Sequence, residues 1–269
     1  RRDRLITIFI LPFMSCGARI PVYILLAGAF FQPQTAGNVI FSLYIAGIVL
    51  SLAVARFFTM FQGTTTPFVM ELPPYRIPTF RSVVIHIWER AYLYIRKAGT
   101  IILMFTIIIW FFMSFPRSVK TDSTGTSLPT RHPDIGHTYA GKFGKLIEPA
   151  LKPLGFDWRI GVALTAGFAA KEVVVSTLAT IYSIGNEGNE QHVGQSLQHA
   201  LRNDPMMNRE KAYGLMLFIL IYVPCVAFLS VMKRESGSMK WVVLMVVYTI
   251  TLAWIITFTF IRIASFFVR

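Results

Sequence analysis

The sequence is poor in charged residues. Asp, Glu, Lys and Arg make up 14% of its 269 residues, whereas a typical soluble domain carries about 25%. Apolar residues account for 54%, and the mean hydropathy is +0.57. This deficit of charge excludes an ordinary water-soluble domain and indicates a chain that folds in lipid.

Cysteine is also scarce, since the chain contains two, Cys16 and Cys225, each within an apolar run. Two isolated cysteines provide neither a disulfide framework nor the paired CxxC pattern of a zinc site. The sequence has no GxxxxGK[ST] loop, so nothing in it is predicted to bind nucleotide phosphates. We therefore expect no enzymatic activity, no catalytic residue and no bound cofactor in these residues.

The charges that are present are mostly basic, and the formal net charge is +13. Lys and Arg cluster between the apolar runs, where basic residues attract anionic lipid headgroups. No nucleic-acid reading motif accompanies them. The bilayer is therefore the expected partner, and nucleic acid is not. Because the chain starts at Arg1 without an initiator Met or a signal-peptide pattern, we expect it to be a piece of a longer protein.

Uncharged stretches predict an all-α integral membrane protein with about six transmembrane or broken-helix segments, because a helix crosses the bilayer core in about 20 residues. The first segment lies within residues 5–31, and a turn is predicted at 32–38. A second segment follows, and four further apolar runs lie at 98–116, 160–184, 212–232 and 241–261. Prolines or polar groups interrupt the first, fourth and fifth segments.

Three polar stretches separate the apolar runs. Residues 80–97 predict a basic amphipathic helix on the inner membrane surface, with an ordinary extramembrane helix as the alternative. Residues 117–157 are rich in Ser, Thr, Pro and Gly and predict a long exposed loop. Residues 185–210 are polar, and Asp204-Pro205 should stop any helix there before the next span.

The first interrupted segment carries Cys16 and Arg19 between Pro12 and Pro21. An ionised group at mid-bilayer costs about 2.5–3.5 kcal/mol, so Arg19 should face the bundle interior. The two prolines predict irregular backbone, which is tolerated where it is packed in protein or lines a wet cavity. Cys16 and Arg19 would share a face if the segment is helical. The alternative is a packed kink with a buried thiol and an arginine that reaches for headgroups.

The second interrupted segment carries Lys171 and Glu172. These neighbours project about 100° apart on a helix and cannot simply neutralise each other, so at least one should pair elsewhere. A polar row is predicted on one helix face. It consists of Thr165, Glu172, Ser176, Thr180 and Ser183. A polar clamp between helices, with no role in transport, is the alternative interpretation.

The third interrupted segment places Cys225 directly after Pro224, which should free the Leu220 carbonyl. Carbonyl oxygens and a thiolate together suit a borderline divalent transition metal better than calcium or magnesium. A kinked helix with a packing cysteine is the alternative. Three broken helices in one bundle favour a transporter. Metal, nucleoside and organic-ion substrates remain open on this evidence, as does a membrane scaffold that transports nothing.

Several strings in the sequence resemble the membrane domain of the ferrous iron transport protein B (FeoB) family. They cover nearly the whole chain outside residues 117–157 and 185–210, in the family's order. The strings are FMSCGARIPVY (13–23), ELPPYR (71–76), WER (88–90), RKAGT (96–100), GFDWR (155–159), AGFAAKEVVVST (166–177) and YVPCVA (222–227).

This resemblance implies multi-pass uptake of Fe²⁺ through a bacterial inner membrane. It divides the chain into a C-terminal-type segment pair with its amphipathic helix (1–98), a second gate-like half (99–232) and a final transmembrane helix (233–269). GTP and Mg²⁺ would bind an N-terminal G domain that this chain lacks. A small accessory protein and a homo-oligomer are further partners that the resemblance allows.

The resemblance also implies roles for individual residues. Cys16 and Cys225 match the two family cysteines on the iron path and would be transient Fe²⁺ ligands. The expected charge and gating residues are Arg19, Lys171, Glu172 and Ser176.

Overall fold

A computed structural model describes residues 7–62, 79–95, 99–115, 135–182 and 190–267, which are predominantly helical and contain no β-strand. In chain order the α-helices are α1 (Ile20–Phe30), α2 (Pro33–Gln62), α3 (Phe80–Tyr94), α4 (Thr100–Ser114), α5 (Tyr139–Leu151), α6 (Trp158–Ala169), α7 (Val173–Ile181), α8 (Glu190–Arg202), α9 (Arg209–Ile221), α10 (Val226–Ser236) and α11 (Met239–Phe267). Short 3₁₀ helices lie at Leu11–Phe13, Gly17–Arg19, Ile135–His137 and Lys152–Leu154.

The predicted all-α membrane fold is confirmed, and the predicted count of about six segments is approximate. Within the described residues, four helical stretches are long and apolar enough to cross a membrane: Thr7–Phe30, Pro33–Met60, Arg209–Ser236 and Met239–Phe266. Leu103–Ser114 is a shorter apolar helix, and α6 with α7 occupies the predicted segment 160–184. The first, fourth and fifth segments are each interrupted, as the sequence indicates.

Helix α9 forms the centre of the bundle. Its sequence from Gly214 to Ile221 is apolar on every face, and all of these residues are buried. A helix that is hydrophobic all round is stable only when other helices surround it, and α9 packs against α11, α1 and α2. The interruption that follows α9 therefore lies deep inside the protein.

The predicted loop over 117–157 is wrong for its described part, residues 135–157. Thr138 caps α5 by accepting a hydrogen bond from the Gly141 N–H at 3.3 Å. Helix α5 packs closely on α6 at Gly144, where a Cβ atom would approach the Trp158 carbonyl oxygen at 2.7 Å. The glycine permits this close contact between helices. Residues 116–134 lie outside the described residues.

Residues 190–202 form a helix within the polar stretch 185–210. Leu197 and Leu201 are buried where α8 packs against α1, and α8 ends before Asp204-Pro205, as predicted. Helix α3 lies within the predicted amphipathic stretch 80–97, with Trp88 72% exposed. Residues 96–98 and the string at 71–76 lie outside the described residues.

The turn between the first two segments is shorter than the predicted 32–38. Helix α1 ends at Phe30, and α2 already begins at Pro33. Proline suits the first position of a helix because its fixed φ is helical and no N–H is needed there.

Candidate functional site: three helix breaks that meet

The first break lies between two short 3₁₀ helices. Met14 is extended after Leu11–Phe13, and Cys16 is extended before Gly17–Arg19, which leads directly into α1. Pro21 falls in the first turn of α1, where it starts the helix rather than interrupting it. The irregular backbone therefore lies next to Cys16.

Arg19 fills this break with its guanidinium group. The side chain is 2% exposed, and it donates hydrogen bonds to the carbonyl oxygens of Pro12 at 2.6 Å and Met14 at 3.2 Å. Cys16 is exposed and its backbone is extended, so the helical arrangement in which it would share a face with Arg19 does not occur. The alternative of a buried thiol with an arginine at the headgroups is wrong too, because Arg19 is the buried residue of the two.

Unpartnered buried polar atoms concentrate around this break. Among the described residues such atoms are Ser15 Oγ, Arg19 Nε, Tyr23 OH and Thr257 Oγ1, and the first three belong to the first segment. A buried polar atom without a partner costs about 1–3 kcal/mol. The first segment therefore keeps unused hydrogen-bonding capacity beside Cys16.

The second break divides the segment 160–184. Helix α6 ends at Ala169 and α7 begins at Val173, so the predicted polar row does not lie on one continuous helix. Glu172 is exposed in the break. Ser176 is also exposed, and its hydroxyl donates to the Val173 carbonyl oxygen at 3.0 Å. Ser183 lies outside the described residues.

The third break follows α9. The backbone is extended at Tyr222 and again at Cys225, which directly precedes α10. The Tyr222 hydroxyl donates to the Leu164 carbonyl oxygen of α6 at 3.3 Å. At Gly167 a Cβ atom would lie 2.6 Å from this hydroxyl, so the glycine allows the tyrosine to fit against α6.

Lys171 connects the second break to the third. Its side chain is 3% exposed, and Nζ donates to the Ile219 carbonyl oxygen at 3.0 Å. Nζ also lies 4.4 Å from the centre of the Tyr222 ring, a cation–π distance. The expectation that Lys171 or Glu172 pairs elsewhere is confirmed for Lys171. Lys171 therefore engages the Ile219 carbonyl, which lies one residue before the Leu220 carbonyl that Pro224 was predicted to free.

The three breaks meet around this ammonium group. The Cys16 and Cys225 thiols and the Arg19 guanidinium all lie within electrostatic range of Lys171. Arg19 and Cys225 also lie within range of the Tyr222 hydroxyl. Residues about 200 positions apart in the sequence thus share one region of the bundle.

Metal binding in this region would depend on an unusual set of groups. The described residues include no cluster of three or more His, Cys, Asp or Glu side chains that could hold a metal ion. A cation held there would use thiols together with backbone carbonyl and hydroxyl oxygens. Such mixed sulfur and oxygen groups suit a borderline transition-metal ion better than calcium or magnesium.

A second polar cluster, which the sequence did not predict, lies at the start of α6. Asp204 accepts a 2.6 Å hydrogen bond from the Tyr182 hydroxyl and pairs with Arg159 at 3.4 Å. Burial raises the pKa of the Asp157 carboxyl, although the Ile160 N–H donates to it. The cluster borders a cavity of about 520 Å³. The GFDWR string and Asp204 marked these residues, but nothing in the spacing predicted that they meet.

Comparisons with known proteins place the chain in a family. Residues 95–239, more than half of the chain, match the family model Gate, described as "Nucleoside recognition". The chain is thus an α-helical membrane protein of the Gate family. Residues 40–90 match a second model, "Ferrous iron transport protein B C terminus". The chain belongs to the ferrous iron transport protein B family and corresponds to the C-terminal membrane portion of its members.

Individual relatives agree with this assignment. The chain is 42% identical to an "Fe(2+) transport protein A/Fe(2+) transporter FeoB fusion protein" of Porphyromonas gingivalis, over 99% of the chain and 35% of the relative. It is 41% identical to the Fe(2+) transporter FeoB of Campylobacter jejuni and 35% identical to that of Helicobacter pylori, over 98% and 94% of the chain and 42% of each relative. The chain thus spans well under half of these proteins. No solved structure matches it.

Proposed function

We propose that this chain is the membrane-permeation part of a GTP-dependent Fe²⁺ uptake transporter, multi-pass in a bacterial inner membrane. The observation that carries the proposal is the hydrogen bond from Lys171 Nζ to the Ile219 carbonyl oxygen at 3.0 Å, which joins the second break to the end of α9, shortly before Cys225. Relatives named as Fe(2+) transporters match 94–99% of the chain, which supports the choice of cargo.

The two cysteines suit Fe²⁺ because of their chemistry and their position. Thiolate is a soft ligand that prefers a transition metal to calcium or magnesium. Cys225 directly precedes α10, and the free N–H groups at a helix start favour negative charge. Each cysteine would hold Fe²⁺ transiently as the ion passes the breaks.

The neighbouring charged and polar residues would control this passage. Arg19 holds the first break in shape through the Pro12 and Met14 carbonyls, and it supplies positive charge against the thiolates. Glu172 is exposed next to buried Lys171, where its carboxylate would attract an approaching cation. Ser176, one turn further along, would serve the same passage.

Other parts of the whole protein would supply the nucleotide chemistry. GTP and Mg²⁺ would bind a G domain in sequence that this chain does not contain. The P. gingivalis relative carries an Fe(2+) transport protein A in the same polypeptide, by its name, which supports a small accessory protein as a partner. A homo-oligomer would fit the exposed apolar faces of α2, α4 and α11.

The test measures ⁵⁵Fe²⁺ uptake by cells that express the complete gene product at equal membrane levels. Cys16→Ser and Cys225→Ser should each lower uptake by about tenfold or more, because a hydroxyl is a poor substitute for a thiolate. Thr59→Ser, an exposed position on α2 far along the chain from either cysteine, should leave uptake unchanged. Normal uptake in both cysteine variants would refute the assignment.

The description of the Gate model keeps a nucleoside carrier as the second candidate. Iron-independent uptake of a radiolabelled nucleoside by the complete protein would favour it. A membrane scaffold without transport predicts that Glu172→Gln changes thermal stability and leaves uptake untouched.

A further inference from the structure

Lys171 places a buried ammonium group at the broken end of α9. Its ammonium group is buried in the bundle, and its described partners are one backbone carbonyl and one aromatic face. None of the ion pairs among the described residues includes Lys171. A buried charge without a counter-ion is costly, and here the cost falls at the broken end of α9.

Arg19 provides the comparison. Its guanidinium also donates hydrogen bonds to carbonyl oxygens that lack a helical partner. These two carbonyls belong to its own segment. Lys171 reaches across to another segment, α9, and holds a single carbonyl through a flexible stem. A planar fork fixed at two points resists movement, whereas an ammonium on a four-carbon stem rotates away easily. Of the two cations, Lys171 has fewer hydrogen bonds to break before it can move.

We propose that Lys171 is a tethered cation that occupies the metal position at the α9–α10 break. A divalent transition metal ion would engage Cys225 and the Ile219 carbonyl only after the Lys171 ammonium has moved away. This inference rests on the proposed function, because it takes Cys225 as a ligand of the transported ion. It adds that the Lys171 ammonium group fills this site when no metal ion is bound.

Electrostatics makes the two occupants exclusive. The Cys225 thiol lies within electrostatic range of the Lys171 ammonium, so a dication bound by that thiol would be repelled by the ammonium. In a water-poor interior this repulsion exceeds the amount needed for a tenfold change in affinity. The ammonium therefore lowers the apparent affinity for metal, and its displacement would couple metal entry to movement of the α6–α7 break.

The test uses Co²⁺ as the metal, because thiolate ligation of Co²⁺ gives a charge-transfer band in the near ultraviolet. The complete protein is purified in detergent and titrated as wild type, Lys171→Met, Lys171→Arg and Cys225→Ser. Lys171→Met should bind Co²⁺ about tenfold or more tightly than wild type, and Lys171→Arg no more tightly. Cys225→Ser should remove the band. Lys152→Met, at an exposed position, is the matched control and should titrate like wild type.

A purely structural lysine gives the opposite pattern. If Lys171 only satisfies the Ile219 carbonyl, Lys171→Met would bind Co²⁺ equally or more weakly, which would overturn the inference. Lys171→Gln guards against misfolding, since its neutral amide can still donate to a carbonyl, and it should also tighten Co²⁺ binding. Absence of the band from wild type and both neutral variants likewise overturns the inference.

The proposed function fails in a different way. A Cys225-dependent band that strengthens in Lys171→Met would support the tethered cation even if iron uptake proved indifferent to both cysteines. That combination would leave the metal site standing and reject its role in permeation.

Discussion

Replacing Arg19 with Met tests whether the first break depends on its buried guanidinium group. The substitution keeps the length and packing volume of the side chain approximately and removes both hydrogen bonds to the Pro12 and Met14 carbonyls. These carbonyls belong to irregular backbone, so no helical N–H is positioned to replace the lost donors.

The expected magnitude follows from the two bonds. A hydrogen bond to a charged group contributes about 1.5–3 kcal/mol, so the two together contribute roughly 3–6 kcal/mol. Removing a buried charge recovers part of its desolvation cost, which leaves a net loss of about 2–4 kcal/mol. For a chain of this length, each kcal/mol shifts Tm by about 2–4 °C. We therefore expect Arg19→Met to lower Tm by on the order of 10 °C.

Intrinsic tryptophan fluorescence during heating in detergent is the appropriate assay, because it leaves the two thiols unmodified. Arg19→Lys should lie between wild type and Arg19→Met, since an ammonium lacks the planar fork that reaches two carbonyls. Arg56→Met, which removes an exposed arginine from α2, is the control. If Arg19→Met has the same Tm as Arg56→Met and wild type, the guanidinium group does not stabilise the break.

Two further substitutions test the neighbouring contacts. Tyr182→Phe removes the 2.6 Å hydrogen bond to Asp204 and should lower stability by about 1–2 kcal/mol, whereas an unchanged Tm would show that the contacts with Arg159 and the Met206 N–H suffice to hold Asp204. Gly167→Ala places a methyl group 2.6 Å from the Tyr222 hydroxyl. It should displace the Tyr222 ring that lies under Lys171 and lower both Tm and ⁵⁵Fe²⁺ uptake, and normal uptake at normal stability would refute the importance of this contact.

The membrane segments and their interruptions could be predicted from the sequence because both follow from local chemistry. Apolar runs of sufficient length predict spans. Pro224 and the polar groups beside it predict a helix break whatever the tertiary contacts are. Pro21 misled this reasoning, since proline at the start of a helix stabilises the start instead of breaking the helix.

The missed elements depend on contacts that sequence spacing does not reveal. Helix α5 was hidden in a stretch whose Ser, Thr, Pro and Gly content suggests a loop, although Ala140, Gly144, Ile147 and Leu151 recur at helical spacing and could have identified it. The partner of Lys171 could not be predicted, because the Ile219 carbonyl is 48 residues away and a backbone group carries no sequence signal.

The lengths of α2 and α11 have a consequence for the bilayer. With 30 and 29 residues at about 1.5 Å each, both helices extend to roughly 45 Å, whereas the hydrocarbon core is about 30 Å thick. Tilting and projection of their ends into the headgroup layer absorb the excess. These two helices are therefore long enough to span membranes of different thickness, whereas α6 and α7, with 12 and 9 residues, are each too short to cross the hydrocarbon core alone.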